Sequence, residues 1–337
     1  MLGIALILVA IGYLVATQLD FSWLLPVQAS FQSVLIDRLF RLMMGIAVVI
    51  FLLVEGLLIF AIFRFRYKQG DETDAAPVHG NIGLEVVWTL IPAIIVVVIG
   101  VYSFQVLTDV ERPGEQPLVI EVIGRQYVWE FRYPQSNVSS PILHLPVARE
   151  VKLQLTSEDV IHSFWVPEFR VKRDTTPGRI SELVLRPIKI GEYPVLCAEL
   201  CGAAHAEMVS RVIVEDQSDF DAWIADQIAE KAAPEMTVVP DTLEEGRKIY
   251  IKLGCGACHI LEDAESAGVL GSSLEGYGLV APTRVEGLDA RTYTLQAILQ
   301  PNAFIVEGYG AGLMPANYGD QLTEGELEIL IDYLLEQ

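Results

Sequence analysis

The sequence predicts a multidomain membrane protein: a transmembrane helical hairpin, an all-β sandwich and an all-α C-terminal domain. Three observations predict it. Apolar runs long enough to cross a bilayer are confined to the first 110 residues. Short alternating segments punctuated by Pro and Gly then run to about residue 215. Two close cysteine pairs, Cys197/Cys201 and Cys255/Cys258, mark one chemically loaded segment in each of two outer domains. The chain has 337 residues, 52% hydrophobic, with a formal net charge of −21. That balance excludes a nucleic-acid binder, which needs clustered Lys and Arg to neutralise phosphates. Four cysteines are too few to staple a disulfide-dense fold. Their pairing points to metal or cofactor chemistry.

The first apolar run, 1–17, has the length of a signal h-region but no basic start. It reads as a signal peptide or an N-terminal membrane anchor. The hairpin is expected over 38–110. Leu42 to Phe63 can span a hydrocarbon core, with Glu55 its one charge, and Val86 to Thr108 is uncharged and contains Pro92. The basic cluster Arg64, Arg66 and Lys68 between them should stay cytoplasmic, which puts everything after Asp109 on the outer side. A charge inside a span usually faces protein or water, so Glu55 implies a membrane partner on that face. Glu85, at the inner edge of the second span, is either a hydrated interfacial residue or a functional one.

The domain expected at 117–228 contains Pro117–Gly124, Glu150–Thr156, Ile180–Leu185 and Glu207–Val214, short β-rich runs between turn signals. They read as an antiparallel sandwich or barrel. Its informative segment is Cys197-Ala-Glu-Leu-Cys201-Gly-Ala-Ala-His205-Ala-Glu-Met208. Thiolate, thioether and imidazole together suit copper. With His162 upstream, two bridging thiolates, one His per metal and a weak Met would make a two-copper site. A disulfide would not account for His205 and Met208, and zinc rarely takes Met. His144, in a Leu-His-Leu-Pro run, reads as structural or surface.

A linker is expected at 229–241 and a helical domain at 242–337. The second thiol pair lies in Cys255-Gly-Ala-Cys258-His259, a c-type haem attachment signature in which both thiols bond to the macrocycle and the His is an axial ligand. A thioredoxin-like pair would need a βαβ setting, and a zinc half-site would need two more ligands. Met314, in Gly-Leu-Met-Pro, is the candidate second axial ligand. The domain carries five basic against fifteen acidic residues. That is either a solvated surface or a dock for a basic donor.

On these residues the chain from about 38 to 225 resembles subunit II of haem-copper cytochrome c oxidases, with its hairpin and cupredoxin-like domain. Besides the copper run, the matching segments are Ser157–Ser163, Lys172–Arg179, Leu84–Pro92 and the aromatic run Gly124–Tyr133. From 242 to 337 the chain resembles a class I cytochrome c. The resemblance implies a dinuclear copper centre on His162, Cys197, Cys201, His205 and Met208. It implies that Glu199 gives copper a carbonyl and gives its side chain to a magnesium shared with subunit I. It implies proton uptake at Glu85 and electron intake near Tyr127 and Trp129. Tyr127 stands where the family usually has Trp, so an external cytochrome need not dock in the usual way. The implied function is electron transfer in a bacterial plasma-membrane oxidase, with both metal domains periplasmic. Electrons would come from a donor cytochrome or upstream respiratory complex through haem c and copper to haem in subunit I. Oxygen reduction and proton translocation would occur in that partner. Rival readings are the corresponding subunit of a nitric oxide reductase and, in a different class, a membrane copper-delivery protein. A quinol oxidase subunit would lack the copper ligands.

Overall fold

The computed structural model describes residues 2–18, 24–66, 69–70, 77, 80–232 and 242–337. The chain divides into two compact units, 1–112 and 113–337. Tyr67 and Lys68 at the end of the basic cluster, most of the hairpin loop, and residues 233–241 of the expected linker lie outside the described residues.

The first unit is helical. α1 (Leu2–Gln18) packs on α2 (Phe31–Arg64), and α3 (Ile82–Glu111) follows. α2 begins eleven residues before the apolar run predicted from Leu42. Its start is set by a capping box: Ser30 Oγ accepts from Ser33 N at 3.0 Å, and Ser33 Oγ accepts from Ser30 N at 3.3 Å. This satisfies amides that a helix start otherwise leaves open. The buried Asp37, accepting from Gln28 Nε2 at 2.7 Å, is then carried inside the helix. At 1.5 Å per residue the 34 residues of α2 and the 30 of α3 extend roughly 50 and 45 Å, more than a bilayer core of ~30 Å. From Met43 of α2 onward and along most of α3, large apolar side chains such as Phe51, Phe63 and Val96 are exposed. α3 runs through Pro92 without a break.

The second unit opens with ten strands: β1 (Leu118–Arg125), β2 (Val128–Tyr133), β3 (Val138–Ser140), β4 (Leu143–Pro146), β5 (Val151–Ser157), β6 (His162–Val166), β7 (Val171–Thr175), β8 (Ser181–Leu185), β9 (Gly191–Cys197) and β10 (Val209–Glu215). They form two five-stranded sheets, ordered β3-β2-β1-β5-β8 and β4-β10-β9-β6-β7. Alternation decides the inner faces. In β5, Val151, Leu153 and Leu155 are fully buried between partly exposed Lys152, Gln154 and Thr156. The expectation of an antiparallel sandwich is corrected at two places, because β1 pairs with β5 in parallel and β4 with β10 in parallel. The chain leaves β1, enters the other sheet at β4 and returns to β5 running the same way, a crossover that alternation cannot reveal. Nor is the domain purely β. α4 (Gln217–Ala232) closes it, with Trp223 stacked on His144 at 3.9 Å and 6°. α4 therefore takes residues 229–232 of the expected linker. His144 is structural: it is buried, and its Nδ1 is 3.0 Å from Glu215 Oε1.

The remainder is helical: α5 (Thr242–Lys252), α6 (Tyr277–Val280), α7 (Ala290–Leu299) and α8 (Glu324–Leu335), with one pair of two-residue strands, β11 (Ile260–Leu261) and β12 (Ser266–Ala267). α5 crosses α8 closely at Gly246, where a side chain would strike Tyr333. Ile249, Tyr250, Leu330, Ile331 and Tyr333 are buried between the two helices.

Candidate functional site

β9 ends at Cys197 and β10 starts at Val209, so residues 198–208 form a long loop on an antiparallel pair. Its base is pinned by Cys197 N–H donating to Met208 O at 3.2 Å and Ala198 N–H donating to Ser163 O at 2.8 Å. β6 lies on the other side of β9, with Phe164 opposite Cys197, which brings His162 to the same edge. The donor atoms converge. Cys197 Sγ is 3.8 Å from Cys201 Sγ and 4.0 Å from His162 Nδ1. Cys201 Sγ is 3.5 Å from His205 Nδ1 and 3.9 Å from Met208 Sδ. The Glu199 carbonyl oxygen lies 3.3 Å from Cys197 Sγ, while the Glu199 side chain is exposed. His162 and Met208 are fully buried and Cys201 nearly so.

The sulfurs are free thiols, far beyond the ~2.05 Å of a disulfide. They share their protons unequally. Hydrogen bonding from Cys201, with help from His162, lowers Cys197 to about 3, and the same bond to Cys197 raises Cys201. Two cysteine sulfurs, two imidazole nitrogens and a thioether form a soft donor set suited to copper. His162, Cys197 and Cys201 form the candidate ligand group whose donor atoms all lie within 4.8 Å.

Outside the motif, Asp159 Oδ1 sits 2.8 Å from His162 Nε2, which turns Nδ1 toward Cys197. Burial opposes ionisation of Asp159, but hydrogen bonds from His162 and two backbone amides outweigh it and lower its pKa. Sequence reading missed this partner, although it stands three residues before His162. Trp129 is buried, edge-on to Phe164 at 5.8 Å and to His162 at 6.1 Å. Tyr127 is 6% exposed, on the turn between β1 and β2. Neither ring presents an open surface.

The second thiol pair follows α5 in a single turn, where Cys258 N–H and His259 N–H both donate to Cys255 O at 3.1 and 3.0 Å. Cys255, Cys258, His259 and Met314 line one cavity, walled by Leu270, Ile298, Phe304, Leu330 and other largely apolar side chains. Burial pushes Cys255 up to about 12 and pushes His259 down, keeping both neutral. His259 Nδ1 is 2.7 Å from the carbonyl oxygen of Ser272, which fixes the proton there and leaves Nε2 for a ligand. Within this unit the Cys255–His259 turn also touches the β-sandwich, for a side chain on Gly254 would strike Val128.

Glu85 lies far along the chain from both donor sets, in the first turn of α3. Its carboxylate folds back to accept from Asn81 N–H at 3.3 Å, and Asn81 Oδ1 accepts from Leu84 N–H at 3.1 Å. Glu85 is exposed and Glu55, in α2, is half-buried.

Comparison with known proteins places this architecture. A family model described as cytochrome c oxidase subunit II, transmembrane domain, matches residues 16–106, and one described as the periplasmic domain of that subunit matches 137–216. The cytochrome c oxidase subunit 2 of Synechocystis is 37% identical over 249 residues, covering 60% of this chain and 75% of the relative. That of Alkalihalophilus pseudofirmus is 31% identical over 304 residues, covering 85% of this chain and 84% of the relative. An alignment of that extent includes part of residues 242–337. Among solved structures, the periplasmic domain of cytochrome oxidase subunit II of Bradyrhizobium japonicum is 28% identical, covering 35% of this chain and 99% of that one, with a TM-score of 0.34. The identities, the coverage and the two matched domains agree: this chain belongs to the cytochrome c oxidase subunit II family, membrane subunits with a periplasmic domain that act with subunit I in a haem-copper oxidase.

Proposed function

We propose that this chain is the electron-accepting subunit of a terminal respiratory oxidase with two donor sets of its own. His162, Cys197, Cys201, His205 and Met208, with the carbonyl of Glu199, would hold a dinuclear copper centre. Cys255, Cys258, His259 and Met314 would hold a covalent haem c, making 242–337 a cytochrome c domain. When bound, these groups supply one-electron chemistry that feeds oxygen reduction in subunit I, coupled there to proton translocation. The observation that carries this reading is the convergence of His162, Cys197, Cys201, His205 and Met208, each donor atom within 4.0 Å of another.

The protein's part is to hold donors and exclude water. The sandwich buries His162 and Met208, so a charge arriving there meets few waters that must reorient. The apolar pocket does the same for the second site and favours a neutral imidazole at His259. Contact of Gly254 with Val128 supports a short internal route between the two, with Tyr127 and Trp129 alongside. The external donor then meets the acidic C-terminal domain rather than the copper loop. The exposed Glu199 side chain is the candidate for a magnesium shared with subunit I, and Glu85 for proton uptake on the cytoplasmic side.

Metal analysis and spectroscopy of the purified chain test this. Two coppers, one iron and a haem that resists acid acetone are expected. One copper, or a haem released by acid acetone, overturns the corresponding half.

A further inference from the structure

The turn between β1 and β2 carries no copper-type donor, yet it grips the metal loop. The side-chain amide of Gln126 donates to Cys201 O at 2.6 Å. Its backbone N–H donates to Asp159 Oδ2, also at 2.6 Å, and the other oxygen of that carboxylate is the one beside His162 Nε2. A single residue is thereby tied to both segments that supply donors. The next residue extends the grip. The backbone N–H groups of Ala204 and Ala203 face the Tyr127 hydroxyl. Gly202 makes the approach possible: any side chain there would strike that hydroxyl and lie 2.7 Å from Gln126 Nε2. Its φ of 139° is also a conformation that favours glycine.

Two consecutive turn residues therefore engage four consecutive loop residues, Cys201 to Ala204, between one thiol and His205. The contacts are directional. Gln126 offers a proton to the Cys201 carbonyl, and the Tyr127 hydroxyl is set against the backbone at Gly202. A residue buried only to fill space would need neither. Groups that orient ligands from outside tune a metal site nearly as strongly as the ligands themselves.

We propose that Gln126 and Tyr127 are positioning residues, a clasp that fixes the Cys201–Ala204 segment and through it the geometry of the copper donor set. The proposal rests on the copper reading above. It assigns the turn a part in the reaction even with no external partner docked on it.

The test uses the full-length chain loaded with copper and haem, compared with Gln126→Glu and Tyr127→Phe. Glutamate keeps the shape of glutamine but, when ionised, has no proton to donate. Phenylalanine keeps the ring and removes the oxygen. Both variants are expected to hold two coppers while shifting the paramagnetic hyperfine pattern and the copper reduction potential. In the metal-free chain, Tyr127→Phe should speed amide exchange at Ala203 and Ala204 roughly five- to ten-fold, the loss expected for one hydrogen bond. The wild-type spectrum judges the copper reading by itself, and exchange in metal-free protein judges the clasp whatever metal binds. Wild-type spectra, potential and exchange in Tyr127→Phe would overturn the clasp, and they do so even if Gln126→Glu does not fold.

Discussion

The Cys197–Met208 loop and the thiol pocket gather their donor atoms in opposite ways. In the loop, each donor atom lies within 4.0 Å of another. Strand register fixes Cys197 against β6, and hydrogen bonds from outside the loop orient His162 and Cys201. In the pocket, the donors ring a cavity with apolar walls. Under the proposed function, the first is a close-packed frame for small ions. The second would be a cavity for a large group whose own surface completes the core. Small ions can be held by a rigid frame, whereas a macrocycle replaces side chains that the domain would otherwise need.

Four experiments would break or sharpen this contrast, beginning with the largest effect. Cys201→Ser should abolish sharing of an electron between two coppers, because only one thiolate remains to bridge. Collapse of the paramagnetic spectrum to that of a single copper, and loss of oxygen turnover, are the expected signs. An unchanged spectrum would mean that the loop does not hold a thiolate-bridged pair. Second, removing copper with a chelator should leave the β-sheet circular dichroism intact, while haem-free protein should lose helix signal from 242–337. Equal loss on both sides would erase the distinction. Third, Phe164→Ala empties a fully buried position beside the copper loop and should destabilise the sandwich by ~3–5 kcal/mol in denaturant unfolding. The C-terminal helices should hold.

The smallest effect concerns the pocket's outer frame. Glu326 caps α8 with Thr323 and lies 2.9 Å from Lys252 on α5. The Thr323 amide, and after it Lys252, lowers Glu326 from 4.5 to about 2. A depressed carboxylate stabilises the fold above its unfolded value and loses that contribution as pH falls. The helical domain should therefore weaken between about pH 4.5 and 2, and Glu326→Gln should remove that slope. Thr323→Ala should cost about 1 kcal/mol, the usual worth of a lost cap. Melting curves across this pH range read both.

Local chemistry was legible in the sequence because Cys197 to Met208 and Cys255 to His259 each fit in one short segment. Their spacing carries the donor types without any knowledge of the fold. What escaped notice acts across strands. Gln126 and Asp159 are 33 residues apart, and Gln126 reaches Cys201 across 75. Parallel pairing of β1 with β5 was hidden for the same reason, since alternation reports which face is buried and not which neighbour lies beside it. The early start of α2 was obscured by polar residues at Asp37, Arg38 and Arg41, which hydropathy reads as an end and a capping box overrides.

The crossing of α5 and α8 has a consequence in time. About 70 residues separate the end of α5 from the start of α8. At ~5–20 residues per second, synthesis of that interval takes roughly 4–14 s. Until α8 arrives, the wall containing Leu330 and Leu334 is missing, and Cys255 and Cys258 stand uncovered. Outside the membrane, where the cell's thiol oxidants accept the two electrons that disulfide formation releases, two thiols this close can be joined during that delay. Under the proposed function, the order in which the chain is made leaves an interval in which the thiols that would attach the haem must be kept reduced.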